Sequence, residues 1–170
     1  MARVYNRLPR VEGQVSQARR DMIPLHNVPI DARVTKMVQP DTHWVEVDRS
    51  EQMLYLYFNS EIIKAWQVST GRPGGPGLKS RATRPGVYRV YNLYEKYPMW
   101  GVEDAKTGWW VPDVPWVIWF HGELAIHGAT WHNDFGTPVS HGCVNMMPDD
   151  AQDLYQYMVK GRFGSVIWVH

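Results

Sequence analysis

The sequence predicts a mainly β, mostly antiparallel fold: a β-sandwich or partly closed barrel with one amphipathic helix packed on it. Short runs of β-branched and aromatic residues, separated by turn residues, recur from residue 43 onward. Only the segment that starts at Pro148 has clear helical periodicity. A chain of 170 residues, 44% of them hydrophobic, can bury one sizeable core, so a single domain accounts for the length.

Residues 1–40 lie outside this pattern. They mix Arg, Pro, Gln and Asn, and within them only residues 11–22 have a spacing that indicates a short helix. They carry seven basic and three acidic residues, whereas residues 41–170 carry eleven basic and fourteen acidic ones. We interpret 1–40 as an arm or linker and 41–170 as the folded domain, whose acidic balance argues against a nucleic-acid surface.

Three runs open the domain, namely HWVEVD, QMLYLYF and EIIKAWQVST, and the turns between them predict a β-meander. The following sixteen residues, GRPGGPGLKSRATRPG, contain five Gly and three Pro and therefore indicate an exposed loop. VYRVYNLYEKY then predicts a further strand.

Residues 98–115 combine Pro and Gly with three Trp residues, which predicts a long irregular loop rather than a regular element. Long loops in compact domains commonly form lids or binding loops. We expect Trp109 and Trp110 to lie over a groove, with Gly101 and Gly108 as hinges.

The last part of the chain predicts three strands and a helix. WVIWF and ELAIH form a strand pair across an HG turn, and SVIWVH closes the chain. Pro148 at the first helical position and acidic residues 149 and 150 predict where the helix begins, and Gly161 where it ends. One face of this helix is apolar and consists of Ala151, Leu154, Tyr155 and Met158.

Residues 125–148, AIHGATWHNDFGTPVSHGCVNMMP, hold three of the seven histidines and the only cysteine. Without a second cysteine in the chain, Cys143 is a buried small hydrophobe, a metal ligand or a working thiol. A working thiol needs a nearby imidazole to take its proton, and His127 is our candidate base. We expect the Gly128 carbonyl to orient that imidazole, and the N–H groups of Gly142 and Cys143 to face a developing oxyanion.

Two other interpretations of this cysteine remain open from the residues alone. Free cysteines are commonly inert core residues. A zinc site is the second, although the chain has neither an HExxH helix nor a Cys-x₂-Cys pair. Its candidate ligands are His121, His127, His132, His141 and Cys143.

The segments IHG and SHGCVN resemble the signature of the L,D-transpeptidase catalytic domain, also called the YkuD family. VEVDRSEQMLYLYFNSEIIKAWQVSTGRPG resembles that family's opening strands, ATRPGVYRV its TPxGxY segment, and MPDDAQDLYQYMVKGRFGSVIWV its closing helix and strand. The resemblance runs from residue 43 to the end of the chain. It implies an L,D-transpeptidase-type β fold, with the cysteine in a groove beneath a capping loop.

The resemblance also implies acyl transfer between peptidoglycan stem peptides, without a cofactor or a metal. Cys143 would be the nucleophile and His127 the general base, with Gly128 orienting His127 and Gly142 helping to bind the oxyanion. A tetrapeptide donor would lose D-Ala, form a thioester and pass to an amine, giving a 3-3 cross-link or an attached wall protein. Carbapenems would acylate the same thiol. The groove residues that we expect are Ser140, His141, Asn145, Trp109, Trp110, Trp131 and His132.

Members of the family act in the cell envelope, outside the cytoplasm, and we expect the same location here. The first residues show no apolar segment typical of an export signal, and no run approaches the roughly 18 apolar residues of a membrane span.

Two alternative functions stay open. One is an L,D-carboxypeptidase or endopeptidase that uses the same Cys143 and His127, and the other is a non-catalytic wall-binding domain. A base-activated thiol is expected to react with alkylating reagents faster near neutral pH than an ordinary one.

Overall fold

The computed structural model describes residues 28–75, 80–102, 108–161 and 164–170, so the helix expected over 11–22 lies outside the described residues. The strands within these ranges are β1 (His43–Asp48), β2 (Met53–Phe58), β3 (Glu61–Gln67), β4 (Gly86–Arg89), β5 (Asn92–Val102), β6 (Gly108–His121), β7 (Leu124–Gly128), β8 (Val144–Met146) and β9 (Val166–Val169). The helices are α1 (Ala32–Met37) and α2 (Pro148–Lys160).

The strands form two mixed sheets, which confirms the prediction of a mainly β fold. One sheet has the order β3-β2-β1-β9-β4 and the other the order β5-β6-β7-β8, and they do not close into a barrel. Two of the pairings, β1 with β9 and β7 with β8, are parallel, while the other five are antiparallel. The β7–β8 pair carries the segments of the predicted site.

The meander β1–β3 and the helix α2 follow the sequence prediction closely. Pro148 is the first residue of α2, and Gly161 caps its end. All four residues of the predicted apolar face are buried. They pack against strand residues such as Val47, Ile118 and Ile126 in the core between the two sheets. No helix in the described part of the chain is long and apolar enough to cross a membrane.

The segment VYRVYNLYEKY, predicted as one strand, is divided between two sheets. Its first residues belong to β4 and the later ones to β5, and the chain crosses over at Val90 and Tyr91. The backbone N–H of Val90 donates to the Ser165 carbonyl on one side, and that of Tyr91 donates to the Trp119 carbonyl on the other. The point at which the chain changes sheets is set by Ser165 and Trp119, which are distant in sequence. The local residue pattern therefore does not predict it.

The prediction of an irregular loop is wrong for residues 98–102 and 108–115, because these belong to the long antiparallel strands β5 and β6. Pro98 and Pro112 lie where the register shifts between the Tyr97–Val114 and Met99–Val111 pairs, a position at which proline is tolerated. Gly101 and Gly108 are paired within the ladder. They are therefore not hinges of a loop.

The helix α1 was not anticipated within the predicted arm. Its Val34 is buried against the outer face of the first sheet, in a cluster with Trp44, Tyr55, Tyr57 and Trp168. The part of the arm that the structure describes thus contacts the domain.

Candidate active site

The parallel pairing of β7 with β8 brings the predicted histidine and cysteine segments together. His127 pairs with Asn145, and Ile126 pairs with Val144. Because side chains alternate along a strand, Ile126 and Val144 enter the main core while His127 and Asn145 face the other way. Cys143 directly precedes β8 and packs on that second face, against a small apolar cluster that includes Ala125.

A cavity opens on this second face. Among its lining residues are nine that the sequence analysis named: His127, Cys143, Gly142, Ser140, His141, Asn145, Trp109, Trp131 and His132. Residues 110 and 128 are not among them. The fold therefore gathers most of the predicted site around one thiol.

His127 is buried, with 3% of its surface exposed. Its Nδ1 lies 3.0 Å from the carbonyl oxygen of Gly128. A carbonyl only accepts hydrogen bonds, so Nδ1 carries the hydrogen and Nε2 keeps a free lone pair. Burial lowers the pKa of His127 to about 4, so the imidazole is neutral at physiological pH. The ring can therefore accept a proton at Nε2.

Gly128 is held close to two prolines. A Cβ atom on Gly128 would lie 3.0 Å from a side-chain carbon of Pro115 and 3.1 Å from the Cα of Pro148. The tight packing fixes the carbonyl that binds His127, since the backbone there has little room to move.

Cys143 is half-buried, and its Sγ donates a weak hydrogen bond to the Glu123 carbonyl over 3.7 Å. Burial raises the pKa of this thiol to about 11, although the backbone N–H of Ala125 near the sulfur acts in the opposite direction. The thiol is therefore protonated near neutral pH. This raised pKa argues against the expectation that Cys143 reacts with alkylating reagents faster than an ordinary cysteine near neutral pH.

The turn before the thiol is organised by Ser140. Its Oγ accepts a hydrogen bond from the Gly142 N–H at 3.0 Å and donates one to the Cys143 carbonyl. Gly142 has a φ of +134°, and a Cβ there would lie 3.0 Å from Leu124, so glycine is required. In the free protein the Gly142 N–H is thus bonded to Ser140, and its role as an oxyanion donor stays a prediction. The Cys143 N–H has no hydrogen-bond partner among the described residues.

Thr83 also holds this turn and was missed by the sequence analysis. Its buried Oγ1 donates to the Gly142 carbonyl at 2.8 Å and accepts from the Gly71 N–H at 2.9 Å. The only sequence signal for Thr83 was its place in the ATRPG segment. No local pattern connects that segment to the Gly142 turn, which lies 59 residues further along the chain. The same holds for Glu123, whose backbone carbonyl meets the thiol.

The two tryptophans expected over the groove lie on opposite faces of the hairpin. Trp109 lines the cavity, and its ring centroid is 5.4 Å from that of His141. Trp110 is 66% exposed and is not among the residues that line the cavity, so its place in the groove stays a prediction. Adjacent residues of a strand point in opposite directions, which allows only one of the pair to face the thiol.

The remaining predicted groove residues surround His127. The Trp131 ring centroid lies 5.7 Å from that of His127, and Trp131 is 47% exposed. His132 lies deeper and contacts the buried side chain of Asn145. Among the residues that the structure describes, no three His, Cys, Asp or Glu side chains are grouped so that they could hold a metal ion.

The family model for the L,D-transpeptidase catalytic domain, YkuD, matches residues 42–169. The chain belongs to this family. The match begins within two residues of the predicted domain start at 41 and covers all nine strands described above. The resemblance inferred from the sequence is thus confirmed, and the chain is a member of an enzyme family.

Individual relatives agree with this family. The chain is 27% identical over 127 residues to L,D-transpeptidase 2 of Mycobacterium tuberculosis, an alignment that covers 71% of this chain and 30% of that protein. It is 27% identical over 124 residues to the putative L,D-transpeptidase YciB of Bacillus subtilis, covering 66% of this chain and 59% of that protein. The chain thus spans less than two thirds of the length of either relative.

A solved structure has the same fold. L,D-transpeptidase 3 from M. tuberculosis, determined in complex with a faropenem-derived adduct, superposes with a TM-score of 0.63 at 19% sequence identity. The superposition covers 76% of this chain and 60% of that one.

Proposed function

We propose that the chain is a cysteine-dependent peptidoglycan L,D-transpeptidase that forms a thioester on Cys143. The observation that carries the proposal is the orientation of His127. Its Nδ1 is bound to the Gly128 carbonyl, which leaves the lone pair of Nε2 to accept a proton, and both His127 and Cys143 line the same cavity. A neutral imidazole held in one tautomer beside a protonated thiol is a nucleophile–base pair.

Acylation begins with a tetrapeptide stem in the cavity. Sγ of Cys143 attacks the carbonyl carbon of the third residue while its proton passes to Nε2 of His127. The resulting tetrahedral intermediate carries its negative charge on oxygen, next to the unpaired Cys143 N–H. When the carbon–nitrogen bond breaks, the imidazolium returns the proton to the nitrogen of the departing D-Ala, and a thioester remains.

Transfer completes the cycle. An amine from a second stem or a wall protein attacks the thioester carbonyl and gives its proton to Nε2 of His127. The carbon–sulfur bond then breaks, and the thiolate recovers the proton from the imidazolium. If water takes the place of the amine, the same steps give hydrolysis.

Within this proposal, residues 41–170 are the catalytic domain and residues 1–40 an arm. The groove that receives the stem peptide consists of Ser140, His141, Asn145, Trp109, Trp131 and His132. A cell-envelope location and covalent inhibition by carbapenems follow from the same proposal. Faropenem is a penem, and its adduct on the M. tuberculosis relative supports the wider expectation that β-lactams react with this site.

The test is product analysis with the full chain. Incubation with a disaccharide-tetrapeptide is expected to release D-Ala and give a cross-linked dimer, detected by mass spectrometry. Cys143→Ala should abolish both products while the circular dichroism spectrum stays unchanged, and His127→Gln should slow acylation on the order of 10²-fold. Turnover by Cys143→Ala would contradict the mechanism. Tripeptide as the sole product, even with excess amine, would identify a hydrolase instead.

A further inference from the structure

Two tryptophans form an exposed pair on the β5–β6 strands. Trp100 and Trp110 are direct partners across the two strands, and each is 66% exposed. Residues directly opposite each other in an antiparallel pair have Cβ atoms about 5 Å apart, so a single flat ligand can contact both indole rings. Single apolar residues are common on protein surfaces, whereas a contiguous group of large ones typically marks a binding site.

Two prolines extend this pair. Pro98 lies two positions before Trp100, Pro112 lies two positions after Trp110, and both prolines are exposed. Side chains two positions apart along a strand lie on the same face, so the four residues adjoin one another, and we call them the tryptophan platform. None of the four carries a charge. Surfaces that bind anionic polymers or lipid headgroups typically supply Lys or Arg, so the composition of the tryptophan platform favours a neutral ligand.

The tryptophan platform continues into the cavity that contains the thiol. Trp100 lines this cavity, and its strand, β5, is an end strand of the second sheet. Between β5 and the turn that carries Cys143 lies the side chain of Trp109. The Trp109 ring packs over Gly101, the neighbour of Trp100, and its centroid is 5.4 Å from that of His141. About the width of one indole ring therefore separates β5 from the thiol turn.

The proposed donor has a neutral part close to its reacting carbonyl. A stem peptide is joined through its first residue to an amino sugar of the glycan strand, and the carbonyl that Cys143 attacks belongs to the third residue. Three extended residues span about 10 Å. When the third residue is at the thiol, the sugar is therefore within reach of the β5 edge of the cavity.

We propose that the tryptophan platform binds the sugar rings of the donor's glycan strand while the stem peptide occupies the cavity. This proposal rests on the transpeptidase function proposed above. One face of a pyranose ring presents mainly C–H bonds, and the negative face of an indole ring attracts their partial positive charge. N-acetylated sugars offer such faces without needing a charged partner. The platform acts before the thioester forms, so it does not affect how the thioester divides between amine and water.

Sugar binding is tested without turnover, by NMR titration of the full chain with a tetramer of N-acetylglucosamine. The ¹H–¹⁵N signals of the indole N–H groups, assigned with single Trp→Phe variants, are expected to shift for Trp100 and Trp110. Shifts confined to Trp109 and Trp131 would place the sugar inside the cavity, and an unchanged spectrum at millimolar sugar would exclude binding. Either result would overturn the proposal. The titration needs no catalysis, so it decides the proposal even if the proposed function fails.

The contribution to donor selection is tested with two donors that differ only in the sugar. Release of D-Ala from disaccharide-tetrapeptide and from free tetrapeptide gives a kcat/KM for each donor. Trp100→Ala and Trp110→Ala are each expected to lower the preference for the sugar-bearing donor, the ratio of the two kcat/KM values, about tenfold and through KM. An unchanged ratio would contradict the proposal. Release from neither donor by the wild-type protein would count against the proposed function, and the titration would then decide the platform alone.

Conservative and matched variants separate stacking from folding. Trp110→Tyr keeps an exposed aromatic ring and should retain most of the preference that Trp110→Ala loses. Phe58→Ala removes an exposed aromatic ring at the end of β2, in the first sheet, and should keep the wild-type preference. A loss in Phe58→Ala equal to that in Trp110→Ala, or no recovery in Trp110→Tyr, would contradict stacking on this pair.

A membrane surface and a second copy of the chain are the rival occupants, since tryptophans are also common at lipid headgroups and in protein interfaces. The wild-type protein is expected to stay in the supernatant when vesicles of phosphatidylcholine and phosphatidylglycerol are sedimented, and to be monomeric by light scattering. Sedimentation with the vesicles that Trp110→Ala abolishes would identify a membrane contact. A dimer that the same variant dissociates would identify a self-association surface. Either outcome would overturn the proposal.

Discussion

At the scale of single residues, burial sets the protonation states of the proposed nucleophile and the proposed base. It raises the pKa of Cys143 to about 11 and lowers that of His127 to about 4. Both shifts favour the neutral forms, because a low-dielectric environment disfavours charge. The thiol and the imidazole are therefore uncharged in the free protein, and in the proposed mechanism the proton transfer accompanies the attack. A neutral thiol is also protected from oxidation and adventitious alkylation.

The first prediction concerns alkylation of this thiol. Iodoacetamide is expected to modify Cys143 at pH 7 at least about tenfold more slowly than a free cysteine, whose pKa is about 8.5, since only the thiolate reacts. The rate should rise steadily as pH increases toward 10, and intact-protein mass measures it. The single cysteine makes the readout unambiguous. Rapid modification at pH 7 would show that a thiolate exists in the free protein.

A second prediction follows from the pKa of His127. In the unfolded chain the imidazole has a pKa near 6.5, whereas in the folded protein its pKa is about 4. Between these pH values the unfolded state therefore binds one more proton than the folded state. The folded state should therefore lose on the order of 3 kcal/mol through this group as pH falls from 6.5 to 4, at 1.36 kcal/mol per pKa unit. Urea unfolding across this range should show a shallower pH slope for His127→Gln. Parallel curves for the two proteins would contradict a buried neutral imidazole.

At the scale of elements, the β5–β6 hairpin takes the place of the expected irregular lid. Strand alternation divides its tryptophans between two faces, so that Trp109 covers Gly101 and approaches His141 while Trp110 meets solvent. A Cβ on Gly101 would lie 2.6 Å from the Trp109 ring, which explains the glycine on the opposite strand. The β5–β6 pair thus forms a wall of the cavity.

The third prediction uses the two faces as a matched pair. Trp109→Ala opens the cavity wall to water and is expected to shift products from cross-linked dimer toward hydrolysed tripeptide. Trp110→Ala removes the same side chain from the solvent face and should leave the ratio at the wild-type value. Chromatography at fixed acceptor concentration measures the ratio. The same shift in both variants, or in neither, would contradict a shielding role for Trp109.

At the scale of the whole molecule, the site lies where the segment that follows β3 of the first sheet contacts β8, the edge strand of the second sheet. After β3 the backbone runs beside the site, with bridges from Ser69 to Asn145 and from Gly71 to Ser140. Thr83 adds its two hydrogen bonds at the same place. The turn that carries the thiol is therefore held by segments far away in sequence.

The fourth prediction tests this connection. Thr83→Val keeps the shape of the side chain but leaves the Gly71 N–H and the Gly142 carbonyl without their partner. We expect the free energy of unfolding to fall by about 1–3 kcal/mol and acylation to slow, because the turn loses its support. Thr42→Val, which removes a hydroxyl bound to the Gln39 carbonyl near the surface, is the control and should cost less than about 1 kcal/mol. Equal losses in the two variants, measured by urea unfolding, would contradict a special role for Thr83.

Local pattern by itself determined the meander, the helix Pro148–Lys160 and the family. These features depend on neighbouring residues: alternation along strands, spacing around a helix, and the short segments around His127 and Cys143. The Gly128 carbonyl is similarly the next residue along the chain from the imidazole that it binds. Such features can be predicted from the sequence because the residues that interact are only a few positions apart.

Tertiary structure alone decided the rest. The two prolines, Pro98 and Pro112, favoured a loop in the sequence. In the structure both lie at the register shift of the β5–β6 pair, where proline is tolerated. Trp110 is largely exposed, and the Gly142 N–H is bound by the Ser140 hydroxyl, whose rotamer no local pattern predicts. The protonation states of Cys143 and His127 depend on burial by residues from other strands. Those quantities exist only once distant segments have come together, and so the sequence could name the thiol and its base but not their chemical state.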